Sequence, residues 1–330
     1  MREIYRIQSV GTNLKPASEM TDVSVIVVTY NSADCIKECL QSALDQEGVV
    51  IEVIVVDNVS ADCTVKIVRG IGMDVQFVEN QENVGFGRAC NQGVAASGGK
   101  YVMLLNPDAA FDDKNSLAKL FKAMESNSRW GVAGTRVTEA DGSVECPPSF
   151  FYPKQDRTSR DFTALPGRIA WVFGASMLIK REIFLRIGGF DPEFFLTSEE
   201  TDLCLRIREL GYEIGFVKEV AVRHLGAASE RGKDPYDTWR LRAPGMYRFW
   251  AKHYPRKDAR NLVRKDWMRA LYRQAIYRLL ARLTGDQAKV WEKYRRNKGI
   301  AHAARKYLKS MNENPEMIPS AFPARLELAN

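Results

Sequence analysis

Between residues 23 and 105 the chain alternates short, strongly apolar runs with segments of helical periodicity. Val23 to Thr29 (VSVIVVT) is a β-branched run long enough for a buried parallel strand, and Tyr30-Asn31-Ser32 and a helical pattern from Ala33 to Gln46 follow it. The unit recurs. Ile51 to Asp57 precedes a helix over Ala61–Ile71, Val75 to Glu79 precedes a helix over Gly85–Ala96, and Tyr101 opens a further strand that ends in Asn106-Pro107-Asp108. Such alternation predicts an α/β fold, a mostly parallel Rossmann-like sheet flanked by helices with right-handed crossovers. Open sheets of this kind bind ligands outside the carboxyl ends of their strands. Asp57 and Asp108 close two strands at that edge, which suggests a cleft for something polar, a nucleotide with a metal.

After about residue 230 the pattern becomes helical and the charge changes sign. Residues 1–230 carry a net −8, residues 231–310 a net +17 and residues 311–330 a net −2, which together give the formal +7 of the chain. At 330 residues the chain exceeds a usual single core, so a main domain with an appendage is expected. The reading is an N-terminal extension (1–21), a catalytic domain (22–230, its halves about 22–110 and 111–230), a basic amphipathic helical region (231–310) and a flexible tail (311–330) with Pro315, Pro319 and Pro323. No signal-like segment and no charge-free run of roughly 18 residues occurs, so a cytoplasmic location is expected. The six cysteines lack paired spacing and read as reduced packing residues.

Eight segments in order resemble the inverting GT-A glycosyltransferases of family 2, in particular the rhamnosyltransferase-like branch. They are VSVIVVTYNS (23–32), VIVVDNVSAD (53–62), NVGFGRACNQG (83–93), LLNPDA (104–109), GASMLIKREIF (174–184), GGFDPEFF (188–195), EETDLCLR (199–206) and RHLGAAS (223–229). A dinucleotide-binding dehydrogenase is disfavoured, because no glycine follows the first strand and Gly85-Phe86-Gly87 follows the third.

The resemblance implies roles by position. Thr29, Tyr30, Asn31 and Asp57 would hold the nucleoside, with Asn83, Gly85 and Asn106 beside the donor; apart from the family, Asp57 also reads as a turn residue. Asp108, in a DxD-type position whose first Asp is Asn106, would ligate Mg²⁺ or Mn²⁺, and His224 would complete the metal or diphosphate site, although a lone histidine is commonly structural. The usual family form is Glu-Asp-x-Asp, so Glu200 maps onto the general base, one methylene longer than the usual Asp, with Glu199 as the second candidate. Carboxylates at this helix start also read as residues that favour its positive end, with Ser198 as the cap.

On the acceptor side stand Asp202, which either contacts the acceptor or braces the loop with Arg206 as its i+4 partner, and the aromatics Phe195 and Trp171. Phe190, Phe194 and Phe195 read equally as core, Trp171 falls on an expected strand, and 150–168 is expected to be a mobile loop. The implied reaction moves a sugar, rhamnose as first choice, from a dTDP- or UDP-linked donor to a hydroxyl of a glycan or polyprenyl-diphosphate-linked acceptor in surface polysaccharide synthesis. A non-catalytic nucleotide-sugar-binding protein is the alternative.

From Trp267 to Leu283 an apolar stripe at helical spacing is punctuated by Arg269, Arg273, Arg278 and Arg282, with Tyr247, Trp239 and Trp250 before it. Residues 235–310 therefore suit an anionic membrane surface, which would make the protein peripheral on the inner face of the cell membrane. Packing on the catalytic domain or pairing as a homodimer are the other uses of such a stripe. No nucleic-acid-binding motif accompanies the charge.

Overall fold

The computed structural model describes residues 21–72, 75–139, 145–224, 233–283, 287–314 and 318. The chain divides into two compact units, Met1–Phe150 with Leu165–Phe190 and Leu203–Ser229, and Phe151–Ala164 with Asp191–Asp202 and Glu230–Asn330. The division differs from a single boundary near residue 230. Two internal segments, 151–164 and 191–202, group with the C-terminal helices.

In the first unit, strands β1 (Val23–Thr29), β2 (Ile51–Asp57), β3 (Val75–Glu79) and β4 (Tyr101–Leu105) alternate with helices α1 (Ile36–Leu44), α2 (Thr64–Ile71) and α3 (Phe86–Ala95). Each strand begins where its apolar run begins. β1 pairs in parallel with β2 on one side and β4 on the other, and β3 extends the β2 edge in parallel. The order β3-β2-β1-β4 therefore reverses direction at β1, which creates the crevice expected of a doubly wound sheet. Both faces of β1 are covered, Val23, Val25 and Val27 in one apolar cluster and Ile26 and Val28 in the other. α1 seals the first cluster with Ile36, Cys39, Leu40 and Ala43, one stripe of a helix.

The remaining strands are β5 (Ala109–Phe111), β6 (Trp130–Glu139), β7 (Glu145–Cys146), β8 (Ser176–Lys180) and β9 (Glu213–His224), with helices α4 (Ser116–Ser126) and α5 (Arg181–Arg186) among them. β8 is antiparallel to both β4 and β6, β6 is parallel to β9, and β9 carries the short antiparallel β5 at the sheet edge. Trp171 does not lie in a strand. It makes an isolated bridge to Ser149 and packs half-buried against the second cluster, because the chain from 166 to 175 turns before β8 begins.

Helix α6 (Glu199–Glu209) has its first four residues grouped with the second unit. That unit is otherwise built from α7 (Pro235–His253), α8 (Arg256–Leu283) and α9 (Gln287–Glu313). α7 starts with Pro235 after Asp234, whose side chain accepts from the Tyr236 N–H as a cap. Tyr247 and Trp250, expected at a headgroup interface, are core residues here: Tyr247 donates to Asp266 (2.7 Å) and the Trp250 indole donates to the Pro153 carbonyl (2.9 Å). The segment expected to be a mobile loop is anchored by aromatics. Tyr152 packs on Phe162 and Phe249, and all three are buried.

Candidate active site

In the first unit, two clusters form where the parallel strands end. At the β1 and β2 ends Asp57 is buried and well satisfied: its Oδ1 accepts from Thr29 Oγ1 (2.7 Å) and Ser60 Oγ (2.6 Å), and its Oδ2 from the Ser60 N–H (2.8 Å). Asn31 adopts φ 50° and ties the two loops together, its N–H donating to Ser60 Oγ (2.8 Å) and its Oδ1 accepting from the Ala61 N–H (2.7 Å). Asp57 and Thr29 thus fix the loop that carries half-buried Tyr30 and Asn31. The Asn83 side chain accepts from the Gly85 N–H (3.0 Å), and Asn58 Nδ2 donates to the Gly85 carbonyl (3.3 Å), which joins the α3 start to the end of β2.

The second cluster follows β4. Pairing of β5 with β9 sets Ala109 opposite His224, so the residue before Ala109 meets that imidazole. Asp108 Oδ1 lies 3.2 Å from His224 Nε2, with Asn106 Nδ2 3.4 Å from the same nitrogen. The Phe173 ring meets the imidazole edge-on at 5.8 Å. Both Asp108 and His224 are nearly buried. Gly226 and Ser229, which complete the family-like segment after His224, lie outside the described residues.

The carboxylate oxygen and imidazole nitrogen that face each other here are of the kinds that bind Mg²⁺ or Mn²⁺. Among the described residues no group of three or more His, Cys, Asp and Glu side chains could hold a metal. An ion here would therefore take its remaining ligands from phosphate oxygens and water.

In the second unit, the approach to α6 is strained. Thr197 and Ser198 have φ of 69° and 67°, a left-handed conformation costly for residues with a Cβ. What imposes it is α7: Thr197 Oγ1 donates to the Arg242 carbonyl (2.8 Å), and the backbone of Gly245 comes so close that a Cβ there would sit 2.2 Å from the Thr197 carbonyl oxygen. Glu199 is 5% exposed, and its Oε2 has no hydrogen-bond partner among the described residues. Burial first, and then the neighbouring Glu200 charge, push its carboxyl well above the usual range. Glu200 is half-buried; burial also raises its carboxyl, against the opposing pull of its own N–H, the Arg242 charge and the Ser198 N–H.

Asp202 has no exposed surface, which corrects its placement as an acceptor contact. Its Oδ1 lies 2.7 Å from His253 Nε2 and 2.7 Å from Lys252 Nζ. Lys252 also reaches Asp191 Oδ2 (2.8 Å), which Arg248 approaches at 3.0 Å. The carboxylate therefore braces the start of α6 against α7. His253 is a buried member of this network, and Arg160 donates to its carbonyl oxygen (2.7 Å). Phe195 and Phe194 are core, with the Arg248 guanidinium 5.5 Å from the Phe194 ring centre. In the first unit Phe190 is core too, and Arg206 donates to the Ile187 carbonyl (3.0 Å).

A doubly wound half-sheet with polar strand ends, an Asn-Pro-Asp turn after the fourth strand and a carboxylate-led helix define a GT-A fold. The chain belongs to glycosyl transferase family 2, whose model matches residues 24–188. It is 28% identical over 247 residues to the N-acetylglucosaminyl-diphospho-decaprenol L-rhamnosyltransferase of Mycobacterium tuberculosis, covering 66% of this chain and 80% of that one. The O-antigen chain rhamnosyltransferase WbaN of Salmonella anatum is 24% identical, over 62% of this chain and 66% of that protein. Among solved structures, the mannosyltransferase PcManGT of Pyrobaculum calidifontis, in complex with GDP-Man and Mn²⁺, shares the fold with a TM-score of 0.54 at 21% identity, covering 88% of each chain.

Proposed function

We propose that this family 2 enzyme is an inverting, metal-dependent glycosyltransferase that moves a sugar, rhamnose as first choice, from a dTDP- or UDP-linked donor to a hydroxyl of a lipid-diphosphate-linked saccharide in surface polysaccharide synthesis. The observation that carries the reading is the 3.2 Å approach of Asp108 Oδ1 to His224 Nε2 beside Asn106, at the end of a strand adjoining the β1 switch point. The names of the two rhamnosyltransferase relatives support the choice of sugar, and the decaprenol-linked one supports the acceptor class.

Asp108 and His224 would hold Mg²⁺ or Mn²⁺, whose chemistry when bound is to offset the charge that builds on the departing diphosphate. Tyr30 and Asn31, on the loop fixed by Thr29 and Asp57, would contact the nucleoside, with Asn83 and Gly85 on the donor phosphates. Glu200 takes the acceptor hydroxyl proton onto a carboxylate oxygen, the freed oxygen attacks the anomeric carbon, and the bond from that carbon to the diphosphate oxygen breaks with its electron pair leaving on the nucleoside diphosphate. Configuration inverts in the single displacement. Glu200 is preferred over Glu199 because it is the more exposed of the two and its carboxylate accepts N–H bonds that favour the charged form. The enzyme would work as a peripheral protein on the cytoplasmic membrane face, where its acceptor resides; no described helix is long and apolar enough to cross a membrane.

The test is nucleoside diphosphate release from a panel of dTDP-, UDP- and GDP-sugars with a polyprenyl-diphosphate-linked saccharide, with and without Mn²⁺. Release from one donor only when metal and acceptor are both present supports the proposal. Release from none of them would remove it.

A further inference from the structure

On α8, Arg256, Lys257, Arg260 and Arg264 recur at helical spacing along one face, and on α9 Arg305 and Lys309 stand one turn apart. The two helices run antiparallel. The Arg256 guanidinium donates to the Met311 carbonyl at one end, and Gln274 Nε2 donates to the Asn297 carbonyl (3.3 Å) farther along. This register gathers all six cations round one groove of about 880 Å³, walled otherwise by Trp267, Leu308 and two asparagines. Among the described residues no carboxylate lines it.

Acids close by in sequence are turned to other partners. Asp258 Oδ2 accepts from Ser159 (2.7 Å, backbone N–H) and Thr158 (3.2 Å), and Asp266 accepts from Tyr247 (2.7 Å). Lys309 has Glu313 at 3.6 Å, an exposed pair of little strength. Six like charges round a common groove repel one another, and a surface dense in anions relieves that repulsion.

The same helix carries apolar side chains on from the groove into water. Met268, Leu271 and Tyr272 are 56%, 45% and 68% exposed, directly after Trp267, and Leu279 and Leu283 continue the exposure. A cationic groove that runs into exposed apolar side chains matches one kind of partner, a layer with phosphates outside and hydrocarbon beneath.

We propose that this groove and the apolar residues beyond it seat the headgroups of an anionic lipid bilayer. The arginines and lysines take headgroup phosphates, Trp267 lies at headgroup level, and Met268, Leu271 and Tyr272 enter the acyl boundary. Duplex nucleic acid would use the charge but leave the apolar residues idle. The inference rests on the reading of the enzyme as peripheral on the membrane, and it gives that reading a specific surface.

The experiment is flotation of the full-length protein with vesicles of phosphatidylcholine alone and of phosphatidylcholine mixed with phosphatidylglycerol, at low and high salt, with duplex DNA as a competitor. Wild type should float with the anionic vesicles only and come off as salt rises. The triple variant Arg260→Gln, Arg264→Gln, Arg305→Gln should bind about 100-fold more weakly, while Arg69→Gln, Lys119→Gln, Lys122→Gln, which removes as much charge from the first unit, should bind as wild type does. Circular dichroism melting of both triples verifies folding. Equal loss in the two triples, full binding by the groove triple, or release of the protein by DNA at concentrations matching the lipid phosphate would overturn the proposal. Turnover on a water-soluble acceptor analogue separates the two readings: vesicle binding lost with that turnover kept supports the groove, and groove-dependent vesicle binding by a protein that turns over nothing keeps the groove while removing the transferase mechanism.

Discussion

Asp202 Oδ1 and His253 Nε2 lie 2.7 Å apart, both buried, and join the first turn of α6 to the last turn of α7 across 51 positions of sequence. Lys252 reaches the same oxygen, so a cation stays beside the carboxylate when the imidazole is removed. Removing one partner of a buried carboxylate leaves its charge undercompensated. His253→Ala should cost about 2–3 kcal/mol, less than loss of a sole partner because Lys252 remains. Denaturant unfolding of the variant checks this, and an unshifted midpoint would show that the carboxylate is compensated without His253.

The pair Glu199 and Glu200 makes opposite predictions for stability and turnover. Both carboxyls are raised in the folded state, so the native protein binds more protons than the unfolded chain at pH values above the ordinary carboxylate range. The penalty is absent below the unfolded pKa and complete above the raised folded one, so stability falls as pH rises through that window. Glu199→Gln removes part of the penalty and should raise the melting temperature at neutral pH by a few degrees while narrowing the fall in stability between mildly acidic and neutral buffer. No gain at neutral pH would contradict the burial-driven origin of the shift.

Glu200→Gln should lower turnover by about 10²–10⁴-fold and leave donor binding within a few fold, as expected of a general base. In wild type kcat/KM should rise with pH through a pKa above the ordinary carboxylate value, since the base acts deprotonated and its folded pKa is raised. A profile flat from mildly acidic to neutral pH would argue against Glu200 as the titrating group.

Gly245→Ala separates packing from helix propensity. Alanine in a helix interior is favoured over glycine by about 1 kcal/mol. Here its Cβ would meet the Thr197 carbonyl oxygen at 2.2 Å, and backbone must move to admit it. The expected result is a net loss of about 1–3 kcal/mol, together with lower turnover as the 197–198 turn and the carboxylates after it shift. A stabilised Gly245→Ala protein would mean that the turn relaxes freely.

The β1, β2 and β3 bounds and the strand start at Tyr101 were legible because fully buried strands are written as unbroken β-branched or apolar runs. The helices start later than expected by one to three residues; α1 begins at Ile36 rather than Ala33, since Ser32 to Cys35 form a turn in which the Ser32 N–H donates to Thr64. Less legible was what long-range pairing decides. His224 meets Asp108 through the register of a three-residue strand with β9, a contact across more than a hundred positions that no local pattern encodes. His253 carries no local signal, because its partner Asp202 lies 51 positions away, while i+4 spacing points Asp202 to Arg206. Tyr247 and Trp250 misled for a related reason: an aromatic in a basic helix fits an interface and a helical core equally well until the facing helix is known.

Asp108 and His224 are proposed to hold the metal that secures a nucleotide-sugar donor. The direct test is calorimetric titration of dTDP- and UDP-sugars into wild type, Asp108→Ala and His224→Ala, each with and without Mn²⁺. One donor should bind wild type only with Mn²⁺, and each variant should bind it at least about 10-fold more weakly, since even an outer-shell change at a metal site typically costs about 10–100-fold. Donor binding that is equally tight without metal, or unchanged in both variants, would contradict it.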